Sequence, residues 1–351
     1  MITAIASIFV FGLMIVFHEF GHFATAKLAG VRVLEFSIGM GPKLFGMRRG
    51  DTLYSLRMLP LGGFVRMAGM DAEEGRDIES LRHDPENFNN KTVWKRAVII
   101  AAGSIMNFIL AFLLFLYIFM IIGVPAFSNV IGDVVPGKPA QQAGILPGDR
   151  IVAANDKTVQ KWSDLIAEIH PNAGKQIVLK VDRQGQIREV PVTPLMDEQR
   201  KVGQLGIMAD EDSMFMQRQG VFESLRMGIV NTIGITGLII RSLLDMIAGT
   251  VPADVGGPVM IVSEIGKAAQ TGLSNLLMLA AVLSINLGVL NLFPIPALDG
   301  SRLVFLGLEA LRGRPIDPAK ENMIHLAGFA LLMAFMVFIA YNDIVRLLGG
   351  M

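Results

Sequence analysis

Long apolar runs are the feature that most limits what this chain can fold into. Residues 2–26 are almost continuously apolar, and further runs follow at 93–124, 273–294 and 323–340. A helix needs about 20 apolar residues to cross a hydrocarbon core about 30 Å thick. Hydrophobic residues make up 52% of the 351 residues and charged residues 18%, a balance typical of membrane proteins. We therefore predict an α-helical polytopic membrane protein with four transmembrane helices.

A fifth apolar stretch, at 222–248, differs because it carries charges at both ends. Glu223, Arg226, Arg241 and Asp245 lie within it. The uncharged part between Arg226 and Arg241 is shorter than a full span requires. We predict an amphipathic or re-entrant segment here; a true span is the alternative.

The distribution of basic residues predicts the orientation of the chain. Lysine and arginine concentrate in 27–96 and again in 302–320, which by the positive-inside rule places both loops in the cytoplasm. The formal net charge is zero, so no nucleic-acid partner is expected. The predicted parts are transmembrane helices at 1–26, 93–124, 273–300 and 322–345, cytoplasmic loops at 27–92 and 301–321, an extracytoplasmic α+β domain at 125–200, a connecting region at 201–272 and a tail at 346–351.

The first apolar run contains the sequence HEFGH at 18–22. His18 and His22 are four residues apart, so they lie on one face of a helix at a spacing that can share a zinc ion. Glu19 beside them can take a proton from a water molecule on the metal. Ionisable side chains inside a membrane are costly unless they are paired, hydrated or bound to metal. A catalytic zinc site therefore explains this motif better than packing does.

A catalytic zinc site needs a third protein ligand and an open fourth position. His325 in the last run is one candidate, and His83 and His170 lie in soluble stretches. Asp299 is another, because it follows two helix-breaking prolines at the membrane depth expected for the HEFGH motif. A simple helix cap is the alternative role for Asp299. The chain has no cysteine, which excludes thiolate ligands and disulfides.

Four motifs together resemble the site-2 protease family of intramembrane zinc metalloproteases, in the bacterial branch that resembles the regulator of sigma-E protease. They are HEFGH at 18–22, GMGPKLF at 39–45, PLGGFV at 60–65 and NLFPIPALDG at 291–300. The resemblance implies a zinc metalloendopeptidase that binds one Zn²⁺ per chain. Its implied site has Glu19 as general base, with the metal ligands His18, His22 and Asp299.

The same resemblance also bears on the roles of two asparagines. Asn291 is implied to hold the substrate backbone or to stabilise the developing oxyanion; an interhelical hydrogen bond is the alternative. Relatives often carry Gly-Pro-x-x-Asn in the second span, whereas residues 103–107 here read GSIMN. We expect Asn107 to tie helices together, and without the proline a substrate-gating role for this span stays open.

The resemblance also implies membrane-associated β-hairpins in the loop 27–92. Their edge would receive the substrate as an extended strand, because a helical substrate shields its peptide bonds. A merely structural hairpin is the alternative. The predicted substrate-binding residues are Leu53, Tyr54, Ser55, Leu56, Gly62, Gly63 and Phe64.

Residues 127–196 resemble a bacterial, circularly permuted PDZ domain, most clearly at 134–140 and 143–150. Peptide binding by strand addition and exclusion of substrates with large outer domains are both open roles for it. The implied substrates are single-span membrane proteins such as anti-sigma factors or signal-peptide remnants. The protein is expected in the inner (plasma) membrane, in contact with the lipid bilayer, with its active site towards the cytoplasmic side.

Two alternatives come from other functional classes. The first is a catalytically inactive membrane scaffold that presents the PDZ domain, and it is disfavoured because the base and the ligands are all present. The second is a metal transporter that uses intramembrane histidines, for which the soluble domain and Glu19 have no evident purpose.

Overall fold

The computed structural model describes residues 1–70, 84–251 and 256–348. The chain divides into a helical unit, Met1–Ile118 with Phe222–Met351, and a β-rich unit, Phe119–Val221. The helices are α1 (Ile2–Leu28), α2 (Val93–Tyr117), α3 (Pro139–Gln142), α4 (Trp162–Ile169), α5 (Val221–Ile247), α6 (Pro258–Thr271), α7 (Leu273–Leu292), α8 (Asp299–Arg312) and α9 (Pro318–Leu348). The strands are β1 (Val33–Arg49), β2 (Thr52–Met67), β3 (Val124–Phe127), β4 (Ile131–Val134), β5 (Arg150–Ala154), β6 (Lys157–Thr158), β7 (Ile177–Arg183), β8 (Gln186–Val192), β9 (Leu195–Asp197), β10 (Val202–Gln204), β11 (Ile207–Ala209) and β12 (Met214–Gln217).

Five helical stretches of the described chain are long and apolar enough to cross a membrane. They are Ile2–Leu28, Val93–Ile122, Val221–Ile247, Leu273–Leu292 and Ala319–Val345. The predicted multi-pass, mainly helical membrane protein is therefore confirmed. The count of four spans stays a prediction, because α5, expected to be amphipathic or re-entrant, is one unbroken helix of 27 residues.

Helices α1, α2 and α7 form the centre of the helical unit, and small residues let them approach closely. A Cβ atom on Gly21 of α1 would collide with the carbonyl group of Ala102 on α2. Ser284 of α7 donates a hydrogen bond of 2.8 Å to the carbonyl oxygen of Asn107 on α2, and Gly288, one turn later, lies against the carbonyl of Ser104. The two contacts between α7 and α2 show that these helices run antiparallel. Helix α1 is also antiparallel to α2, because His22 contacts Ile99 while His18 contacts Asn107, so α1 and α7 point the same way.

Strands β1 and β2 pair along two stretches, which gives β2 an inner arm and an edge arm. The inner arm, residues 53–56, is paired on both sides: Tyr54 lies opposite both Phe36 and Met47. The edge arm, residues 63–67, is paired only with the start of β1, with Phe64 opposite Ser37. Within the described residues, the sheet therefore has a free edge along the edge arm.

A buried carboxylate, Glu35, holds the two arms together. It accepts hydrogen bonds from Ser55 at 2.7 Å and Arg57 at 2.8 Å, and it lies 3.5 Å from Arg66 of the edge arm. Burial disfavours the charged form, but the bonds from Arg57 and Ser55 and the charge of Arg66 together lower the pKa of Glu35 below its usual range. The edge arm is thus fixed from one side and left open on the other.

The β-rich unit contains a four-stranded sheet with the order β6-β5-β7-β8 and three two-stranded pairs, β10-β9, β11-β4 and β12-β3. Its core is aliphatic and includes Ile131, Ile151, Leu165 and Leu179. That this unit is a PDZ domain stays a prediction.

Candidate metal centre

Three side chains from two separate parts of the chain meet at one point. Nε2 of His18 lies 3.2 Å from Nε2 of His22, and Oδ2 of Asp299 lies 3.2 Å from the first nitrogen and 3.3 Å from the second. His18 and His22 stand one turn apart on α1, and Asp299 begins α8. Each of the three residues offers one potential metal-ligand atom, and these three atoms lie close to one another.

The spacing of these atoms fits a tetrahedral zinc site. Zinc binds nitrogen and carboxylate oxygen at about 2.0–2.2 Å, so two ligand atoms on tetrahedral corners lie about 3.4 Å apart. All three observed separations are within about 0.2 Å of that value. Oδ2 of Asp299 is also buried and accepts no hydrogen bond from any described residue. Such an unsatisfied oxygen between two imidazole nitrogens is explained by a cation.

The carboxyl group of Asp299 reaches the histidines because of the loop that precedes it. Ala297 has a left-handed backbone, with φ of 78°, and its N–H donates to Nδ1 of His325 on α9 at 3.2 Å. Gly300 has no room for a side chain, because a Cβ atom would strike the backbone of Leu292 and Phe293. Leu298, not Asp299, occupies the N-cap position of α8. Oδ2 of Asp299 has no hydrogen-bond partner among the described residues and faces the two histidines of α1.

The three candidate ligands open into a cavity of about 630 Å³. Glu19 lines it beside the histidines and makes no hydrogen bond to the residues that the structure describes, so its carboxylate is free to accept a proton. The edge arm of β2 forms another wall. A Cβ atom on Gly63 would lie 3.0 Å from Cγ of Glu19 and 2.8 Å from the carbonyl oxygen of Ser37. Only glycine lets this strand pass so close to Glu19.

The remaining residues singled out from the sequence fall into three groups. Phe64 lines the cavity together with Gly63, whereas Gly62 and the inner arm, residues 53–56, do not. Asn291 is buried in the last turn of α7 and does not line the cavity either, and its role stays a prediction. Among the alternative ligands, His325 contacts the loop instead of the metal centre, His170 lies in the β-rich unit, and His83 lies outside the described residues.

Arg302 and Gly103 are among the residues of this site that were not expected from the sequence. Arg302 lines the cavity one turn after Asp299 on α8, and its spacing of three from that residue is the signal that could have found it. Gly103 of α2 lies against both histidines, since a Cβ atom there would be 2.7 Å from Cε1 of each ring. Its role required the packing of α1 on α2, which the sequence does not show.

Comparisons with known proteins cover most of the chain. Residues 6–335 match the profile of peptidase family M50. The zinc metalloprotease RasP of Oceanobacillus iheyensis is 34% identical, over 99% of this chain and all of that protein. The regulator of sigma-W protease RasP of Bacillus subtilis is also 34% identical, over 98% of this chain and 99% of that protein.

A solved structure matches a smaller part. The PDZ domain of the SdrC-like protein from Listeria innocua is 22% identical, with a TM-score of 0.21, over 23% of this chain and 92% of that chain. At that score the likeness carries no assignment for residues 125–200.

Proposed function

Because the chain belongs to peptidase family M50 and is a zinc metalloprotease of the site-2 type, we propose that it hydrolyses peptide bonds within or near the membrane-spanning segment of single-span membrane proteins. The observation that carries this proposal is the convergence of His18, His22 and Asp299 beside Glu19 in a cavity of the helical unit. Anti-sigma factors and signal-peptide remnants are the proposed substrates. The name of the Bacillus subtilis relative, a regulator of sigma-W, supports the first class.

In this proposal the three side chains hold one Zn²⁺ per chain, and Glu19 does the proton transfer. Zinc, when bound, lowers the pKa of a coordinated water molecule to about 7 and polarises a carbonyl group. Glu19 accepts a proton from the attacking water and delivers it to the amine that leaves. Asn291 is proposed to donate its amide hydrogens to the substrate backbone or to the developing oxyanion.

The exchange Glu19→Gln tests the mechanism. Because glutamine cannot accept the proton, cleavage of a single-span model substrate in proteoliposomes should fall by about 10²–10⁴-fold. The zinc content should stay at one ion per chain, because Glu19 is not among the three candidate ligands. Glu264→Gln, on the surface of α6 and paired with Lys267, is the matched control. Cleavage by Glu19→Gln at the control's rate would refute the mechanism.

The edge arm is the proposed docking site for the substrate backbone. It has a free edge, it lines the cavity, and Gly63 brings it against Glu19. An extended peptide can add to such an edge by main-chain hydrogen bonds, which would present its peptide bonds to the metal centre. The inner arm, residues 53–56, has both edges paired, so within this proposal it supports the sheet and the substrate lies along residues 63–67.

Gly63→Ala tests this docking site. The added methyl group displaces the strand or Glu19, and a misplacement of about 1 Å can cost about 100-fold in rate. We expect kcat/KM to fall by about that factor while bound zinc is unchanged. Gly46→Ala in the same sheet is the control, because its Cβ atom would meet only flexible ends of Lys43 and Leu53, at 3.1 and 3.4 Å. Equal activity of the two variants would remove the edge arm from the site.

We further propose that α5 does not cross the membrane. Helices α1 and α7 run parallel and α2 antiparallel, so the chain between α2 and α7 must cross an even number of times. The helix α6, with 14 residues, is too short for a crossing, and its Gly266 lies against Thr3 at the start of α1. If α5 crossed the membrane once, α7 would begin on the side opposite to the start of α1, which contradicts their parallel direction. An amphipathic or re-entrant α5 keeps the number of crossings even.

Because the natural chain has no cysteine, single cysteines can report this topology. Phe222 and Ile247, at the two ends of α5, are well exposed. A membrane-impermeant maleimide should label Phe222→Cys and Ile247→Cys from the same side of sealed vesicles. Labelling from opposite sides would make α5 a span. The proposed orientation, with the metal centre towards the cytoplasm and the β-rich unit outside, requires that common side to be the outer one.

A further inference from the structure

One face of α2 touches both histidines of the metal centre through residues spaced one turn apart. Nδ1 of His22 makes a hydrogen bond of 2.9 Å with the carbonyl oxygen of Ile99. Gly103, four residues on, leaves the space that the two imidazole rings occupy. Asn107, four residues further, lies with Nδ2 3.2 Å from Nδ1 of His18. The helix α2 thus contacts the nitrogens of both rings that face away from Asp299.

Asn107 is the one member of this face with an incomplete set of hydrogen bonds. Its side chain is fully buried, and its Oδ1 has no hydrogen-bond partner among the residues described. A buried acceptor left unsatisfied costs about 1–3 kcal/mol. A structural tie between helices does not need this oxygen, because Ser284 reaches the backbone carbonyl of Asn107 and not its side chain.

The position of the imidazole proton explains the unsatisfied oxygen. An imidazole that binds metal through Nε2 carries its proton on Nδ1, which then needs an acceptor. In the orientation described, the NH₂ group of Asn107 faces Nδ1 of His18, and an NH₂ group cannot accept. The two ends of a carboxamide have nearly the same size, so a half-turn brings Oδ1 to the same place without new space.

We propose that Asn107 is a positioning residue for the metal centre: its Oδ1 accepts a hydrogen bond from Nδ1 of His18 and so fixes the ring with Nε2 towards the zinc. The proposal rests on the zinc site of the proposed function. It also explains why an amide suits this position. In the metal-free protein the ring of His18 carries its proton on Nε2. The side chain of Asn107 then turns back and its NH₂ group donates to Nδ1, so Asn107 pairs with either tautomer of His18.

The test is zinc affinity of the full chain in detergent, measured by competition with a chromophoric chelator for Zn²⁺ alone. Loss of a partner of this kind typically weakens metal binding about 10–100-fold, and we expect this for Asn107→Ala. Asn107→Asp keeps the acceptor and should restore affinity to the wild-type value or above. Ser284→Ala, which removes the hydrogen bond from α7 to the backbone carbonyl of Asn107 on α2, should leave affinity unchanged. With Co²⁺ as the probe, the visible absorption bands should shift in Asn107→Ala and not in Ser284→Ala.

Each variant is compared only as the folded fraction from size-exclusion chromatography. Equal affinities of Asn107→Ala and Ser284→Ala would overturn the proposal, and so would an Asn107→Asp affinity as low as that of Asn107→Ala. If Asn107→Ala does not fold, Asn107→Asp is compared with the wild type, and an affinity about 10-fold or more below the wild-type value would overturn the proposal. A wild-type chain that binds no Zn²⁺ would instead refute the zinc site of the proposed function, so the two failures are distinct.

Discussion

Two aspartates, one in each unit, have buried carboxylate oxygens with opposite surroundings. Asp149 of the β-rich unit accepts hydrogen bonds at 2.7 Å from Nε and from Nη2 of Arg183, one to each oxygen, and another at 2.9 Å from the N–H of Leu146. Asp299 of the helical unit has only the imidazole nitrogens of His18 and His22 near its Oδ2. The protein therefore supplies hydrogen-bond donors to both oxygens of Asp149, but it supplies none to Oδ2 of Asp299 among the described residues.

The difference is between a carboxylate that the protein satisfies by itself and one that we predict to bind a metal ion. A buried charge is stable only when it is paired and hydrogen-bonded or bound to metal. Asp149 reaches that state through Arg183, so its role is to hold β5 and β7 together. Asp299 reaches it only with a cation, so the same physical requirement predicts a metal ion. Exchanges at the two positions should therefore affect different properties of the molecule.

The largest expected effect follows Asp299→Ala, which removes a candidate ligand. Because loss of a group that only hydrogen-bonds a ligand costs about 10–100-fold in metal affinity, loss of a ligand should cost about 100-fold or more. Zinc per chain, measured by atomic absorption after dialysis against a weak chelator, should fall from one towards none. Folding of the metal-free protein should change little. A variant that keeps its zinc would end the contrast between the two aspartates.

A smaller and different effect is expected from Asp149→Ala. The exchange leaves Nε of Arg183 and the N–H of Leu146 without their acceptor, whereas Nη2 of Arg183 keeps the carbonyl oxygen of Gly144. We expect a cost of about 2 kcal/mol, reduced by the partial exposure of Arg183. Hydrogen exchange at amides of β5 and β7 in the full chain should report this loss, while zinc content stays unchanged. Glu189→Ala, from an exposed pair with Lys180, should shift the same amides by less than about 0.5 kcal/mol. Equal shifts would show Arg183 and Asp149 to be uncoupled.

The smallest effect is the pH dependence of the Asp149 contact. Burial disfavours the charged carboxylate, but the hydrogen bonds from Arg183 and Leu146 outweigh it and lower the pKa of Asp149. A lowered folded-state pKa stabilises the protein above the unfolded-state value of about 4 and loses that stabilisation as the pH falls towards the folded-state value. The difference in exchange between wild type and Asp149→Ala should therefore be full at pH 7 and shrink below about pH 4. A difference that grows on acidification would contradict the assignment.

Much of the candidate site was predictable because its signals are local. The spacing of His18, Glu19 and His22 depends only on helix periodicity, and the loop before Asp299 depends on proline chemistry. The edge arm was only half predictable. The resemblance implied β-hairpins in the loop 27–92 and substrate-binding residues at 53–56 and 62–64 alike, but the pairing that leaves one edge free depends on how β2 folds back on β1. Register is a property of contacts between segments, and composition does not encode it.

The sequence by itself predicted a membrane protein, the residue types of a metal site and the family, because apolar length and motif spacing are properties of consecutive residues. Only the tertiary structure shows that the carboxylate expected from the resemblance meets the two histidines, how one arm of β2 lines the cavity, and which face of α2 contacts the imidazoles. Those facts depend on distances between segments far apart in the chain. The distance of 3.2 Å between Asn107 and His18 follows from close helix packing around Gly21 and Gly103, and a motif can suggest such a contact but cannot measure it.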